Sequence, residues 1–140
     1  MDILSIIICI AGGFFNVAAL LLIGCNLPNY FKYRKTVKGL QKIKATFVSS
    51  NVEKGDKKTG KITHRYYLTE NGDTVDAPLF YPAVLNNKIS DDMLYIGEYG
   101  TYFAESDGDY IKNSNISYLI VMGICILVML VCIMIGNFIK

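Results

Sequence analysis

The chain has 140 residues, and its 14 Lys and Arg against 12 Asp and Glu leave a net charge of only +2. That balance conceals a split composition, because the 52% of hydrophobic residues gather at the two ends. All four cysteines, Cys9, Cys25, Cys125 and Cys132, lie in those apolar ends, where a thiol behaves as a small apolar side chain. The polar middle therefore holds neither a disulfide framework nor a thiolate metal site.

Residues 3–25 read ILSIIICIAGGFFNVAALLLIGC without a charge. As a helix this run is roughly 34 Å long, enough for a hydrocarbon core of about 30 Å, and it is expected to be a transmembrane helix. Asp2 stands where a secretory signal would carry basic residues, and the apolar run is too long for one, so an uncleaved anchor fits better. Leu22, Ile23, Gly24 and Cys25 resemble a bacterial lipobox, which would lipidate Cys25, but the basic neck directly behind argues for the anchor. Within the helix Ser5, Cys9, Gly12, Asn16 and Ala19 recur at spacings of three and four, which stacks the small and weakly polar residues on one stripe. That stripe is expected to be a packing face, for hairpin formation or self-association rather than transport.

Asn26, Leu27, Pro28 and Asn29 are expected to break the helix. Residues 26–44 then form a basic juxtamembrane collar, with Lys32, Arg34, Lys35, Lys38, Lys42 and Lys44 and no acidic residue. Tyr30, Phe31 and Tyr33 interleave with it as an interface belt. Lys32, Arg34, Lys35 and Lys38 are the expected contacts to anionic lipid headgroups, and the adjoining span makes a nucleic-acid partner the poorer reading. Basic residues close to a span are retained on the cytoplasmic side, so the collar places the central domain inside the cell and both termini outside.

Residues 45–112 carry 7 basic and 11 acidic residues and read as a small β-rich domain. Ile43, Ala45 and Phe47 alternate with Lys42, Lys44 and Thr46 as a first strand ending near Ser49 to Asn51, and Glu53 to Lys61 reads as a charged mobile loop. Lys61 to Glu70 alternates again. A two-residue turn at Asn71 and Gly72 would set Leu68 against Val75 and Tyr66 against Ala77, with Ile62, His64, Tyr66 and Leu68 on the apolar face. Leu79 to Ile96 is expected to be loop with a short strand or helix, Glu98 to Ala104 a strand, Ser106 to Asp109 a turn, and Tyr110 to Lys112 a last short strand. Tyr110 and Tyr118 flank the start of a second uncharged run, residues 116–139, expected to be the second transmembrane helix. There Met122, Cys125, Met129, Cys132 and Gly136 repeat the packing rhythm, and antiparallel spans would set Ser5 near Gly136 and Asn16 near Cys125. The fold class is thus two transmembrane helices flanking a small antiparallel β-sheet or partly open barrel.

Nothing in the sequence nominates a catalytic site or a cofactor. His64 has no partner at metal or catalytic spacing and reads as a packed residue. Asp91, Asp92, Asp107 and Asp109 lack the spacing of a calcium loop, and no phosphate loop or nucleophile motif occurs. The layout resembles domain-of-unknown-function family 3592, bacterial membrane proteins with two spans around a β-domain. The matching residues are Lys44 to Val48, Tyr66 to Leu68 with Glu70 to Asp73, and Ile96 to Phe103 before Asp107 to Asp109. That resemblance implies the architecture and no activity. Two functions stay open. One is a membrane-anchored binding or scaffolding module with a protein partner. The other is a membrane-embedded subunit of a transport or secretion assembly, or a toxin-protection protein, acting through its helices.

Overall fold

The structure is a computed structural model and describes residues 3–54, 61–80 and 90–138. The order of elements is α1 (Ile3–Val37), β1 (Gln41–Lys54), β2 (Lys61–Thr69), β3 (Thr74–Asp76), β4 (Asp92–Ile96), a 3-10 turn (Glu98–Gly100), β5 (Tyr102–Ala104) and α2 (Glu105–Phe138). The chain divides into two compact units: Met1–Pro28 with Asn113–Lys140, and Asn29–Lys112.

In the first unit both helices are long and apolar enough to cross a membrane. Only 6% of the most apolar window of α1 and none of that of α2 is buried within the chain. Pro28 does not break α1, as the sequence suggested, but lies inside it. A proline mid-helix loses one hydrogen bond and costs about 3 kcal/mol. Two residues of the continued helix, Tyr33 and Val37, are buried in the second unit. Burying a large apolar side chain stabilises by about 1.5–3 kcal/mol, so the pair offsets the proline. Termination comes instead at Gly39, whose φ of +81° admits the left-handed turn after Val37, with Leu40 N–H donating to the Val37 carbonyl at 3.2 Å.

The second unit is a curled five-stranded antiparallel sheet, a half-barrel, in the order β3-β2-β1-β4-β5. β1 is the central strand. Its alternation is as expected, with Ala45 buried and Ile43 and Phe47 half-buried between exposed Lys42, Lys44 and Thr46. It also runs on to Lys54, pairing with β2 as far as Lys61, so the charged loop begins later than its composition suggested; residues 55–60 lie outside the described residues. A register shift between Phe47 and Ser49 leaves Val48 as a bulge. Of the expected loop between Leu79 and Ile96, residues 81–89 lie outside the described residues, and Asp92–Ile96 forms β4, a full partner of β1.

The hairpin between β2 and β3 corrects the expected register by one residue. Leu68 pairs with Thr74, Tyr67 with Val75 and Tyr66 with Asp76. The connection is a three-residue loop, Glu70 to Gly72, in which Gly72 N–H donates to the Thr69 carbonyl at 3.0 Å and Thr69 N–H to the Asp73 carbonyl at 2.9 Å. A two-residue type I′ turn needs positive φ at both Asn71 and Gly72, but only Gly72 has it, at +85°. Because side chains alternate, one residue of slip exchanges the faces of the strand. Thr63, Arg65, Tyr67 and Thr69 are the buried residues of β2, and Leu68 is 42% exposed.

The core gathers around this inner face: Ala45, Tyr67, Ala77, Leu94 and Ala104 are buried, with Ile43, Phe47, Val75 and Tyr102 packed against them. Three of the five are alanines, which leaves the concave side of the curl for Tyr67 and Leu94. The Phe47 and Tyr67 rings meet edge to face at 5.7 Å.

Candidate functional site

The second unit is organised by an ion pair that the sequence reading missed. Arg65 donates from Nη1 to Asp107 Oδ1 at 2.9 Å and from Nη2 to Asp107 Oδ2 at 2.6 Å. The two side chains are 3% and 0% exposed. Arg65 also donates from Nε to the Ala77 carbonyl at 3.1 Å and from Nη2 towards the Pro78 carbonyl at 3.5 Å, while Phe80 N–H donates to Asp107 Oδ2 at 3.1 Å. Two buried ions each lose several kcal/mol of hydration, and only a bidentate pair with its remaining polar atoms satisfied recovers that loss. This clamp joins β2, the segment after β3, and the start of α2.

It also explains why the expected Ser106 to Asp109 turn and Tyr110 to Lys112 strand are instead the first turns of α2. Glu105 and Asp107 are acidic groups in the first turn, where the helix dipole favours them. Asp92 serves the helix start from β4. Its carboxylate accepts from Ser106 N–H at 3.2 and 3.3 Å and from Met93 N–H at 2.8 Å. Burial pushes the Asp92 carboxyl above the usual carboxylate range, and the hydrogen bonds from Ser106 and Met93 partly offset that rise. Asp91 accepts from Phe47 N–H at 3.0 Å. The aspartates that resembled calcium-loop fragments thus include three that hold backbone donors or Arg65.

Tyr33 is the second organiser. Its hydroxyl donates to the Ala104 carbonyl at 2.6 Å, and its ring stands edge to face against Phe80 at 5.2 Å and Tyr95 at 6.5 Å. Gly108 lies so close that a Cβ there would sit 2.2 Å from the ring. Burial first, then the electronegative neighbours Tyr95, Asp107, Asp92 and Glu105, push the Tyr33 hydroxyl well above its ordinary value, so it acts as a fixed donor.

Beside Tyr33 a pocket of about 120 Å³ opens among the rings of Tyr30, Tyr33 and Tyr95, with Arg34, Glu105 and Asp109 also lining it. Glu105 is held in an ion pair with Lys42, whose ammonium lies over the Tyr95 ring at 4.9 Å. That pairing raises the Lys42 pKa above its ordinary value, through the Glu105 hydrogen bond first. Arg34 and Asp109 have no ion-pair partner among the described residues.

The other residues singled out from the sequence fall as follows. Lys32, Arg34, Lys35 and Lys38 are exposed, the first three on α1 and the last just beyond it. In the first unit Ser5 and Ala19 are buried, and Cys9, Gly12, Asn16, Cys125, Met129, Cys132 and Gly136 are half-buried among exposed neighbours. Asn16 Nδ2 lies 3.9 Å from Met129 Sδ, and a Cβ on Gly12 would meet the same sulfur at 2.7 Å. Asn16 thus meets Met129, one turn from Cys125. Asn16 Oδ1 is buried without a hydrogen-bond partner among the described residues. His64 does not lie on the buried face; its Nδ1 is 2.5 Å from Asp76 Oδ2, a partner that the shifted hairpin register brings to it, and its Nε2 is 3.8 Å from Oε2 of Glu53 on β1.

The signal for the clamp was present in the sequence as an arginine flanked by Thr63 and Tyr67 on one strand parity. It was hidden because the two-residue turn assigned that parity to solvent. No family model, curated protein or solved structure matches this chain.

Proposed function

We propose that the protein is an integral membrane protein whose two helices cross the bilayer and hold the half-barrel at the inner surface as a protein-binding module. The observation that carries this reading is the exposure of the helices. Phe14, Phe15, Leu21, Leu119, Leu127 and Met134 are 57–72% exposed, among many similar residues, whereas monomeric soluble proteins rarely present more than a few hundred Å² of contiguous apolar surface. A buried core helix of a soluble protein has the opposite pattern. The lysine-rich collar supports an inward-facing domain, and its exposed Lys32, Lys35 and Lys38 suit anionic headgroups. The likeness to domain-of-unknown-function family 3592 fits the same layout.

For the binding role, the support lies in the turn between β4 and β5. Tyr99 is 99% exposed and holds a φ of +56°, a left-handed conformation uncommon for a bulky residue. Gly97 N–H to the Thr101 carbonyl at 2.8 Å, and Thr101 Oγ1 and N–H to the Glu98 carbonyl at 2.8 and 3.2 Å, hold the turn in place. An exposed tyrosine on a hydrogen-bonded turn is a residue type that anchors protein interfaces. The sheet edges are poorer candidates, since β5 has three residues and the chain beyond β3 carries Pro78. The competing reading, a subunit acting through its helices, draws on the unpartnered Asn16 Oδ1; against it, the Gly12 and Asn16 stripe is already occupied by Met129 of the same chain.

The test is site-specific labelling in a cysteine-free background. A cysteine at Tyr99 is expected to resist an impermeant thiol reagent in intact cells and to react after lysis. A photo-crosslinker at Tyr99 is expected to capture one recurrent protein, lost when Gly100 is also replaced by Val. Labelling without lysis refutes the inward domain, and crosslinks only through Asn16 favour the competing reading.

A further inference from the structure

The pocket beside Tyr33 has a composition that neither the collar nor the Tyr99 turn accounts for. It combines a cation, Arg34, and an anion, Asp109, that line the same cavity and form no ion pair with each other or with any other of the described residues. Both side chains are exposed, so a small polar ligand can reach them from solvent. Glu105, already engaged by Lys42, and the three tyrosine rings complete the wall. Aromatic faces and carboxylates together attract an ammonium group, and a guanidinium matches the oxygens of a phosphate. The cavity, about 120 Å³, holds the space of about four waters, well short of the pockets that enclose drug-sized ligands.

Position along the chain narrows the class further. Tyr30 follows Cys25, the end of the first uncharged run, by five residues, and Asp109 precedes Ile116, the start of the second, by seven. Both residues therefore belong to the juxtamembrane stretches of the sequence that adjoin the uncharged runs, the part of a spanning chain that meets lipid headgroups.

We propose that this pocket binds the head of a zwitterionic phospholipid with a primary amine, its phosphate on Arg34 and its ammonium between Asp109, Glu105 and the tyrosine rings. This reading rests on the proposed membrane insertion for its lipid source; the same chemistry would also admit free phosphoethanolamine. A primary ammonium is required because its N–H groups can donate to the carboxylates, which a quaternary head cannot do.

The test uses the full chain in neutral detergent doped with equimolar phosphatidylethanolamine, phosphatidylcholine and phosphatidylglycerol, with bound lipid read by native mass spectrometry. A parallel arm titrates lipid-free protein with phosphoethanolamine. Phosphatidylethanolamine is expected to be retained about tenfold over both competitors, since each charge-assisted hydrogen bond lost costs about a factor of ten. Asp109→Asn and Arg34→Gln, both at exposed positions, are expected to erase the preference while leaving the melting temperature unchanged. Binding in the phosphoethanolamine arm that is lost in the same variants assigns the site to the soluble head and still supports its chemistry. Equal or greater retention of phosphatidylglycerol overturns the proposal, leaving only charge attraction by the collar, and so does a preference that survives both variants. Membrane extraction of the same protein is read separately, so loss of headgroup selectivity is distinguishable from failure to insert.

Discussion

Removing the Asp107 carboxylate is expected to be the most damaging single change in the β-unit. Asp107→Ala leaves the Arg65 guanidinium 3% exposed with no counter-charge, and frees the Phe80 N–H from its acceptor. Breaking a buried pair from one side costs about 3–5 kcal/mol. Small domains are stable by about 5–15 kcal/mol in all, so this is at least about a fifth of what holds the fold. At about 4–8 °C per kcal/mol, the melting transition should fall by at least about 12 °C. The assay is thermal melting of the detergent-solubilised chain, followed by near-ultraviolet circular dichroism of the tyrosines, which reports chiefly the second unit, where all the described tyrosines but Tyr118 lie. Arg65→Lys is expected to lose part of the same stability, because an ammonium cannot reproduce the bidentate fork. The double change Arg65→Met with Asp107→Leu should recover most of the loss, since no charge is then stranded. A fall below about 1 kcal/mol for Asp107→Ala, or a double variant as unstable as the single one, refutes the view of this pair as a buried, mutually dependent clamp.

Other consequences of the structure are open to measurement. Gly72→Ala is expected to cost about 1 kcal/mol or more because φ is +85°, whereas Asn71→Ala should stay within about 0.5 kcal/mol; equal losses would favour a two-residue turn. Gly108→Ala would place a methyl 2.2 Å from the ring of hydrogen-bonded, buried Tyr33, and overpacking of this kind typically costs about 1–3 kcal/mol, read as a lower melting temperature than Gly123→Ala, where a Cβ meets nothing within 4 Å. In alkaline titration followed by tyrosinate absorbance, Tyr33 and Tyr67 should ionise last, because burial raises both hydroxyls. Since the folded chain then holds these protons more tightly than the unfolded chain, stability should fall as pH rises past the ordinary tyrosine value of about 10, and Tyr33→Phe should weaken that dependence.

The helices were legible in the sequence because an uncharged run of more than 18 residues has few structural outcomes. Their extents were not. Pro28 reads locally as a stop, and the burial of Tyr33 and Val37 in the second unit carries α1 onwards. Ser106 to Asp109 likewise has turn composition, and becomes helix because Asp92 and Arg65, 14 and 42 positions away, supply the partners its backbone and side chains need. The strand alternation of β1 was readable since Lys42, Lys44 and Thr46 contrast plainly with Ile43, Ala45 and Phe47. β2 offered no such contrast. Tyrosines occupy both of its faces at Tyr66 and Tyr67, so the choice fell to the turn, and Asn71 followed by Gly72 suits two loop lengths. That single residue of register decided whether Arg65 was a surface charge or the centre of the buried network. The pocket has parts 75 residues apart, from Arg34 to Asp109, and no local pattern could have joined them.

The proposed function requires that α1 and α2 lie in lipid. Alkaline carbonate extraction of membranes carrying the full chain, followed by ultracentrifugation and immunoblotting, tests it most directly. Retention in the pellet, with release only by detergent, is the expected result. Recovery of the chain in the carbonate supernatant as a dispersed species would contradict it.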